Sequence, residues 1–286
     1  MGMNKLPLSK RTQILAFVDD FAVPFDNNLV ERDIRDAEVV KQALQGCDAV
    51  IHLACISNDP SFELNPDLGR SINLDAFVPL VRASKAEGVK RFIYASSSSV
   101  YGNGGTLPRV ESAFPDPISP YAVAKLAAEK FCISFNRVYG LETVALRYFN
   151  VFGPRQDPTS QYAAVVPRFL ARVRAGEPVQ IYGDGSQSRD FTYVANIVEG
   201  NVRAAEAAEA NGAVLNLATG RSASVNELAD QIGAILDKPA QKEYLPARTG
   251  DVRDSWADVG EAKRLLGWEP HVSLEDGLRL TAESLE

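Results

Sequence analysis

The chain has 286 residues, 45% of them hydrophobic and 23% charged, with a formal net charge of −7. That length buries a full core in one large domain or two smaller ones, and the acidic balance excludes a general nucleic-acid binder, which needs a basic surplus against phosphate. Three sparse cysteines predict reduced thiols in a cytoplasmic setting, His52 and His271 are too few for a histidine metal site or triad, and no apolar run is long enough for a membrane span.

In chain order, short apolar runs rich in branched and aromatic residues predict strands at 14–18, 49–54, 91–95, 143–147 and 213–217. Helix-period stretches at 36–45, 73–87, 121–138 and 197–210 fall between them. Strands apolar on both faces and separated by helices indicate a parallel sheet covered on both sides. This is a doubly wound α/β domain over residues 1–152, to which a core strand from about 213–219 returns. After it, Gly-, Pro- and Gln-rich loops at 153–160 and 183–188 alternate with helices at 165–175, 225–236 and 273–284. Residues 153–286 therefore read mainly as a smaller lobe over the carboxyl ends of the strands, where such sheets bind ligands.

The chemistry concentrates in one segment. Tyr121 and Lys125 are four residues apart in a predicted helix, so they share a face. They lie downstream of the serine run from Ser96 to Ser99 at the end of a predicted strand. A phenol, with a reference pKa of about 10, is a poor base at neutral pH. A neighbouring ammonium favours the phenolate, and a hydroxyl holds the substrate oxygen. Together these groups suit proton transfer on an alcohol or a ketone. Taken in isolation, a Tyr-x-x-x-Lys is more often a pair that merely shares an exposed helix face.

Nine stretches in register carry a resemblance. Asp33-Ile-Arg-Asp36, His52-Leu-Ala54, Asn73, Ser96-Ser-Ser-Ser-Val-Tyr-Gly102 and Tyr121-Ala-Val-Ala-Lys125 come first. Arg147-Tyr-Phe-Asn-Val-Phe-Gly-Pro154, Tyr182-Gly-Asp-Gly-Ser-Gln-Ser-Arg-Asp-Phe-Thr-Tyr193, Asn216-Leu-Ala-Thr-Gly220 and Arg248-Thr-Gly-Asp-Val-Arg253 follow. From about residue 14 to the C-terminus the chain resembles an extended short-chain dehydrogenase/reductase, in the group of NAD-dependent nucleotide-sugar epimerases and dehydratases. The resemblance implies a Rossmann-like fold, NAD as cofactor, a nucleotide-sugar substrate and 4-epimerisation of the UDP-glucose 4-epimerase kind.

By position, the resemblance implies Ser97 as the catalytic hydroxyl and Tyr121 as the base. Lys125 would lower the base's pKa and hold the nicotinamide ribose. Asp33 and Ile34 would grip adenine and Asp19 its ribose; Leu53, Ala54 and Asn73 would line the cofactor groove, with Tyr148 by the nicotinamide. Ser98, Asn150, Arg189 and Arg248 would meet the substrate, the two arginines clamping its diphosphate with rigid forks of donors. A homodimer through helices 73–87 and 121–138 is implied as well. A nucleotide-ketosugar reductase or dehydrogenase, and a non-catalytic nucleotide-sugar binder without NAD affinity, are the alternatives.

Departures from the family pattern sharpen the reading. Family members open with a strand, a Gly-x-x-Gly-x-x-Gly turn and a helix, whereas no glycine lies here between Gly2 and Gly46. Such a turn brings backbone N–H groups to the cofactor pyrophosphate, so weak NAD binding is expected. The strand before it is central in the order 3-2-1-4-5-6. The expectation is a sequence that starts part-way into a longer protein; otherwise residues 14–19 move into the central slot or a partner chain fills it. Ser98 and Ser99 stand where the dehydratases carry Asp-Glu, which disfavours dehydration. Ala164 stands where many members carry an Asn near the substrate phosphates.

Overall fold

The computed structural model describes residues 14–15, 36–159, 164–247 and 252–285. Its first half runs through strand β1 (Ile14–Leu15), helix α1 (Ala37–Leu44), β2 (Ala49–His52), α2 (Asp59–Leu64), α3 (Pro66–Arg70), α4 (Phe77–Ala86), β3 (Arg91–Ser97), α5 (Pro120–Tyr139) and β4 (Glu142–Tyr148). The second half adds α6 (Val165–Ala175), α7 (Val194–Glu206), β5 (Val214–Leu217), α8 (Val225–Ile235), α9 (Gly260–Leu266) and α10 (Leu274–Glu283). Strands β1 to β5 lie side by side in that order, parallel throughout.

Because successive strand residues point to opposite faces, neighbours in sequence feed two different cores. Val50, Phe92, Tyr94 and Ala145 pack with Leu80, Val81, Ala128 and Phe135 of α4 and α5. Ile51, Ile93, Val144, Leu146 and Leu215 pack on the other face with Ile197 and Ala204 of α7, Leu266 and Trp268. Both faces are covered, which is why β2 is buried along its whole length and β3 up to Ser96. Strand β1 sits beside β2, Ile14 opposite Ala49 and Leu15 opposite Val50, in the slot the resemblance assigns to the family's first strand. The rest of the strand expected at 14–18 lies outside the described residues, as do Asp19, Asp33, Ile34 and Arg248.

One expected helix has a different form. Instead of starting at Asn73, the helical path begins at Pro66 and passes through a π-turn, Ser71–Asp75, before α4. There the Ala76 N–H donates to the Ser71 carbonyl five residues back (2.9 Å). Such turns insert one residue into a helix and re-aim the side chains around it.

A separate core joins Phe152, Phe169, Leu170, Ile181, Phe191, Leu228, Ile232 and Leu278. Around it Val179–Tyr182 pairs in parallel with Lys242–Leu245, and Val151–Phe152 with Thr192–Tyr193. Strand β4 leads into this part and β5 returns from it to the main sheet. Among the described residues no helix is long and apolar enough to cross a membrane.

Candidate active site

Ser97 ends β3 in register with Tyr148 at the end of β4. Helix α5 starts opposite them. Its N-cap Ser119 accepts from the Ala122 N–H (3.1 Å), and Pro120 occupies the first turn, where its missing N–H costs nothing. Tyr121 and Lys125 then fall on the buried face, 7% and 3% exposed. The Lys125 ammonium donates to the Ala95 carbonyl (2.8 Å) and stands 5.8 Å from the centre of the Tyr121 ring. Ser97 lies near the Tyr121 hydroxyl, and its own Oγ accepts from the Ser99 N–H (3.2 Å) and hydroxyl (2.9 Å). The three groups singled out as catalytic thus meet at the carboxyl edge of the sheet.

The electrostatics differ from the simple expectation of an easily ionised phenol. Burial pushes the Tyr121 phenol well up, nearby Cys55 and Asp59 push the same way, and the Ser97 hydroxyl opposes them. Out of water the neutral phenol is favoured. His52 on β2 is packed among the rings of Phe77, Phe92 and Tyr94. Burial, then the charge of Lys125, lowers its pKa to about 3, so it stays neutral.

The other expected positions are partly assembled. Leu53 and Ala54 directly follow β2, the strand beside β3, and are half-buried. Asn73 is buried, accepting from the Ile56 N–H (2.8 Å) and donating to the Ile56 carbonyl (2.9 Å), so its carboxamide shapes the loop after β2. Tyr148 donates its hydroxyl to Asn201 Oδ1 (2.7 Å). Ser98 opens the 3₁₀ turn directly after Ser97, half-buried. Two residues beyond Tyr148, Asn150 lines a cavity of about 300 Å³ together with Ala164, Arg168, Gln180, Tyr182 and Arg189. Arg189 donates to the carbonyls of Ser188 (2.8 Å) and Arg253 (2.9 Å).

Two residues escaped the sequence reading. Arg168 sits in the first turn of α6, where the helix dipole disfavours a cation; that misplacement was the available signal. Glu129 lies one turn beyond Lys125 on the same face of α5, fully buried. Its carboxylate accepts two hydrogen bonds from Arg147 (2.7 and 3.0 Å) and one from the Ser96 hydroxyl (3.0 Å).

Residues 5–218 match the family described as NAD dependent epimerase/dehydratase. The chain belongs to that family. Among its relatives, the UDP-glucose 4-epimerase of Mycolicibacterium smegmatis is 36% identical over 89% of this chain and 81% of that protein. The UDP-glucuronic acid decarboxylase 2 of Arabidopsis thaliana is 33% identical over 85% of this chain and 55% of that protein. A solved UDP-N-acetylglucosamine 4-epimerase from Methanobrevibacter ruminantium M1, in complex with UDP-N-acetylmuramic acid, superposes with a TM-score of 0.84 at 40% identity, over 88% of this chain and 81% of that one. The sheet and its flanking helices are those of a Rossmann-like member of the epimerase/dehydratase family.

The family's cofactor is NAD. The described residues fit its reactive end: a hydroxyl, a phenol and a buried ammonium meet at one sheet edge, with Leu53 and Ala54 just past the end of the adjoining strand. A Gly-x-x-Gly-x-x-Gly stretch does not occur in the sequence.

Proposed function

We propose that this protein is a nucleotide-sugar 4-epimerase acting through a transient 4-keto sugar. The observation that carries the reading is a juxtaposition: Ser97, Tyr121 and Lys125 meet at one end of β3 and β4, and the polypeptide leaving β4 goes straight into the cavity lined by Asn150 and Arg189. In this reading Tyr121, as phenolate, takes the proton from the sugar 4-hydroxyl. Lys125 stabilises that phenolate through its charge, and Ser97 donates to the reacting oxygen, a bond that strengthens as negative charge develops. When bound, NAD supplies reversible acceptance of the C4 hydride. Tyr121 returns its proton once the keto sugar has turned its other face, so the protein ends as it began.

The cavity takes the nucleotide diphosphate in this proposal, with Arg168 and Arg189 providing donors and Asn150 reaching the sugar side. Residues 153–286 then act mainly as the nucleotide-sugar lobe and residues 1–152 as the dinucleotide half. Ser98 and Ser99 lack the acid–base pair that elimination of water would need. Leu53, Ala54, Asn73 and Tyr148 belong to the cofactor side, and Asp19, Asp33, Ile34 and Arg248 keep the roles implied by the resemblance. The test is to incubate purified protein and NAD with UDP-glucose, UDP-glucuronate and UDP-N-acetylglucosamine and resolve the products by chromatography and NMR. A C4 epimer from one of them is the expected result. Release of CO₂ with a UDP-pentose, or net reduction of a ketosugar at the expense of NADH, would replace this reading by decarboxylation or reduction.

A further inference from the structure

Helix α2 lies against the start of α5, at Tyr121. The Phe62 ring meets the Tyr121 ring edge-on, with 6.4 Å between centroids. Phe62 is itself only 3% exposed, and Ile56 and Ala124 close the cluster. Its seat is specifically provided for: a Cβ at Gly69 would fall 2.7 Å from the Phe62 ring, so a larger residue at 69 would displace it. Three residues before Phe62, and so on the same side of α2, the Asp59 carboxylate accepts a hydrogen bond from the Ser119 hydroxyl. Ser119 is the N-cap of α5. Behind the cluster, Asn73 holds the Ile56 backbone at both its N–H and its carbonyl.

We infer that α2 positions the catalytic tyrosine, Phe62 setting the plane of the Tyr121 ring and Asp59 fixing the first turn of the helix that carries it. This rests on the proposed role of Tyr121 in proton transfer. A tyrosine ring turns about two side-chain bonds, and one aromatic edge on its flank removes much of that freedom. The Asp59–Ser119 contact removes the remaining freedom, that of the helix end. Phe62 and Asp59 are positioning residues in this scheme: neither exchanges a proton with substrate. Losing such support leaves the phenol present but misaimed, which lowers the chemical step without removing the binding of the nucleotide.

The experiment reads position and chemistry separately. In protein labelled with ¹³C-tyrosine, and without substrate, NMR gives the ring-flip rate of Tyr121, its signals assigned by their loss in Tyr121→Phe. Phe62→Ala is expected to speed the flip and to lower kcat by about 10–100-fold, with KM nearly unchanged. Phe62→Leu, which refills the space without an aromatic edge, should recover most of kcat. Asp59→Asn should lower kcat with KM held. If Phe62→Ala does not fold, Asp59→Asn decides by the same two readouts. Unaltered flip rate and kcat in folded Phe62→Ala and Asp59→Asn variants of an active enzyme overturn the inference. A faster flip in a protein whose wild type epimerises no UDP-sugar would leave the positioning standing and overturn the epimerase reading instead.

Discussion

Under the proposed reaction, Tyr121→Phe deletes one oxygen and leaves the ring against Phe62. Turnover should fall by about 10²–10⁴-fold, the usual loss on removing a general base, with nucleotide binding retained in calorimetric titration; undiminished turnover would assign the proton transfer elsewhere. His52 makes a second prediction at this scale. Its folded-state pKa of about 3 lies below the unfolded value of 6.5. Above pH 6.5 both states are neutral and its contribution to stability is complete. As the pH falls below that, the unfolded chain takes up a proton that the folded chain refuses, so stability declines toward pH 3. Replacing His52 by Phe among the rings of Phe77, Phe92 and Tyr94 should flatten the fall in Tm between pH 7 and 5, and parallel slopes for the two proteins would refute it. Tyr121 and Lys125 were legible because their spacing is itself the signal. Phe62 was not, since its partner lies on another helix and only the folded chain brings the two rings together.

Helix α5 carries its chemistry on a polar line through the core. Tyr121, Lys125 and Glu129 follow at four-residue steps on one face, and Glu129 ties that face to β3 and β4 through Ser96 and Arg147. Removing one partner of a buried pair strands the other charge, so Glu129→Leu should cost roughly 3–5 kcal/mol in urea unfolding. The double variant with Arg147→Met should recover much of that, because no charge is then left unpaired. Equal instability of single and double variants would show that the pair is held for another reason. The strands and long helices were readable from periodicity to within about four residues at their ends, closest at α6, where the expected 165–175 is the observed span, and shifted at α7, where 197–210 was expected and Val194–Glu206 is observed. Short α2 and α3 were hidden by their own start signals. Asn58 and Asn65 each cap a helix with a proline in its first turn, and Asn and Pro in a polar stretch read equally well as a loop. The π-turn was hidden for a different reason: one inserted residue leaves no compositional trace.

Across the whole molecule, α5 presents a second face. Val123, Phe131 and Val138 lie within about a quarter-turn of one another, on the side of α5 away from Lys125, and are 52%, 38% and 68% exposed. We propose that this stripe meets its copy in a homodimer with α4 alongside. Light scattering at micromolar protein should give twice the chain mass, and Val138→Glu should halve it; a wild-type monomer would count against the stripe as an interface. The order of the sheet, by contrast, was readable only through resemblance, because periodicity identifies strands without saying which are neighbours. The exit from β4 has one more consequence. Tyr148 stands beside Ser97, and Asn150 opens onto the cavity it shares with Arg168 and Arg189, so two peptide units, about 7 Å of backbone, separate the two places. Under the proposed function that short span is a ruler for the linker between base and sugar, and it should favour sugars joined through two phosphates over those joined through one. A glycine inserted after Phe149 would lengthen the gauge, leaving an enzyme that still holds UDP but no longer brings a UDP-sugar to the phenol.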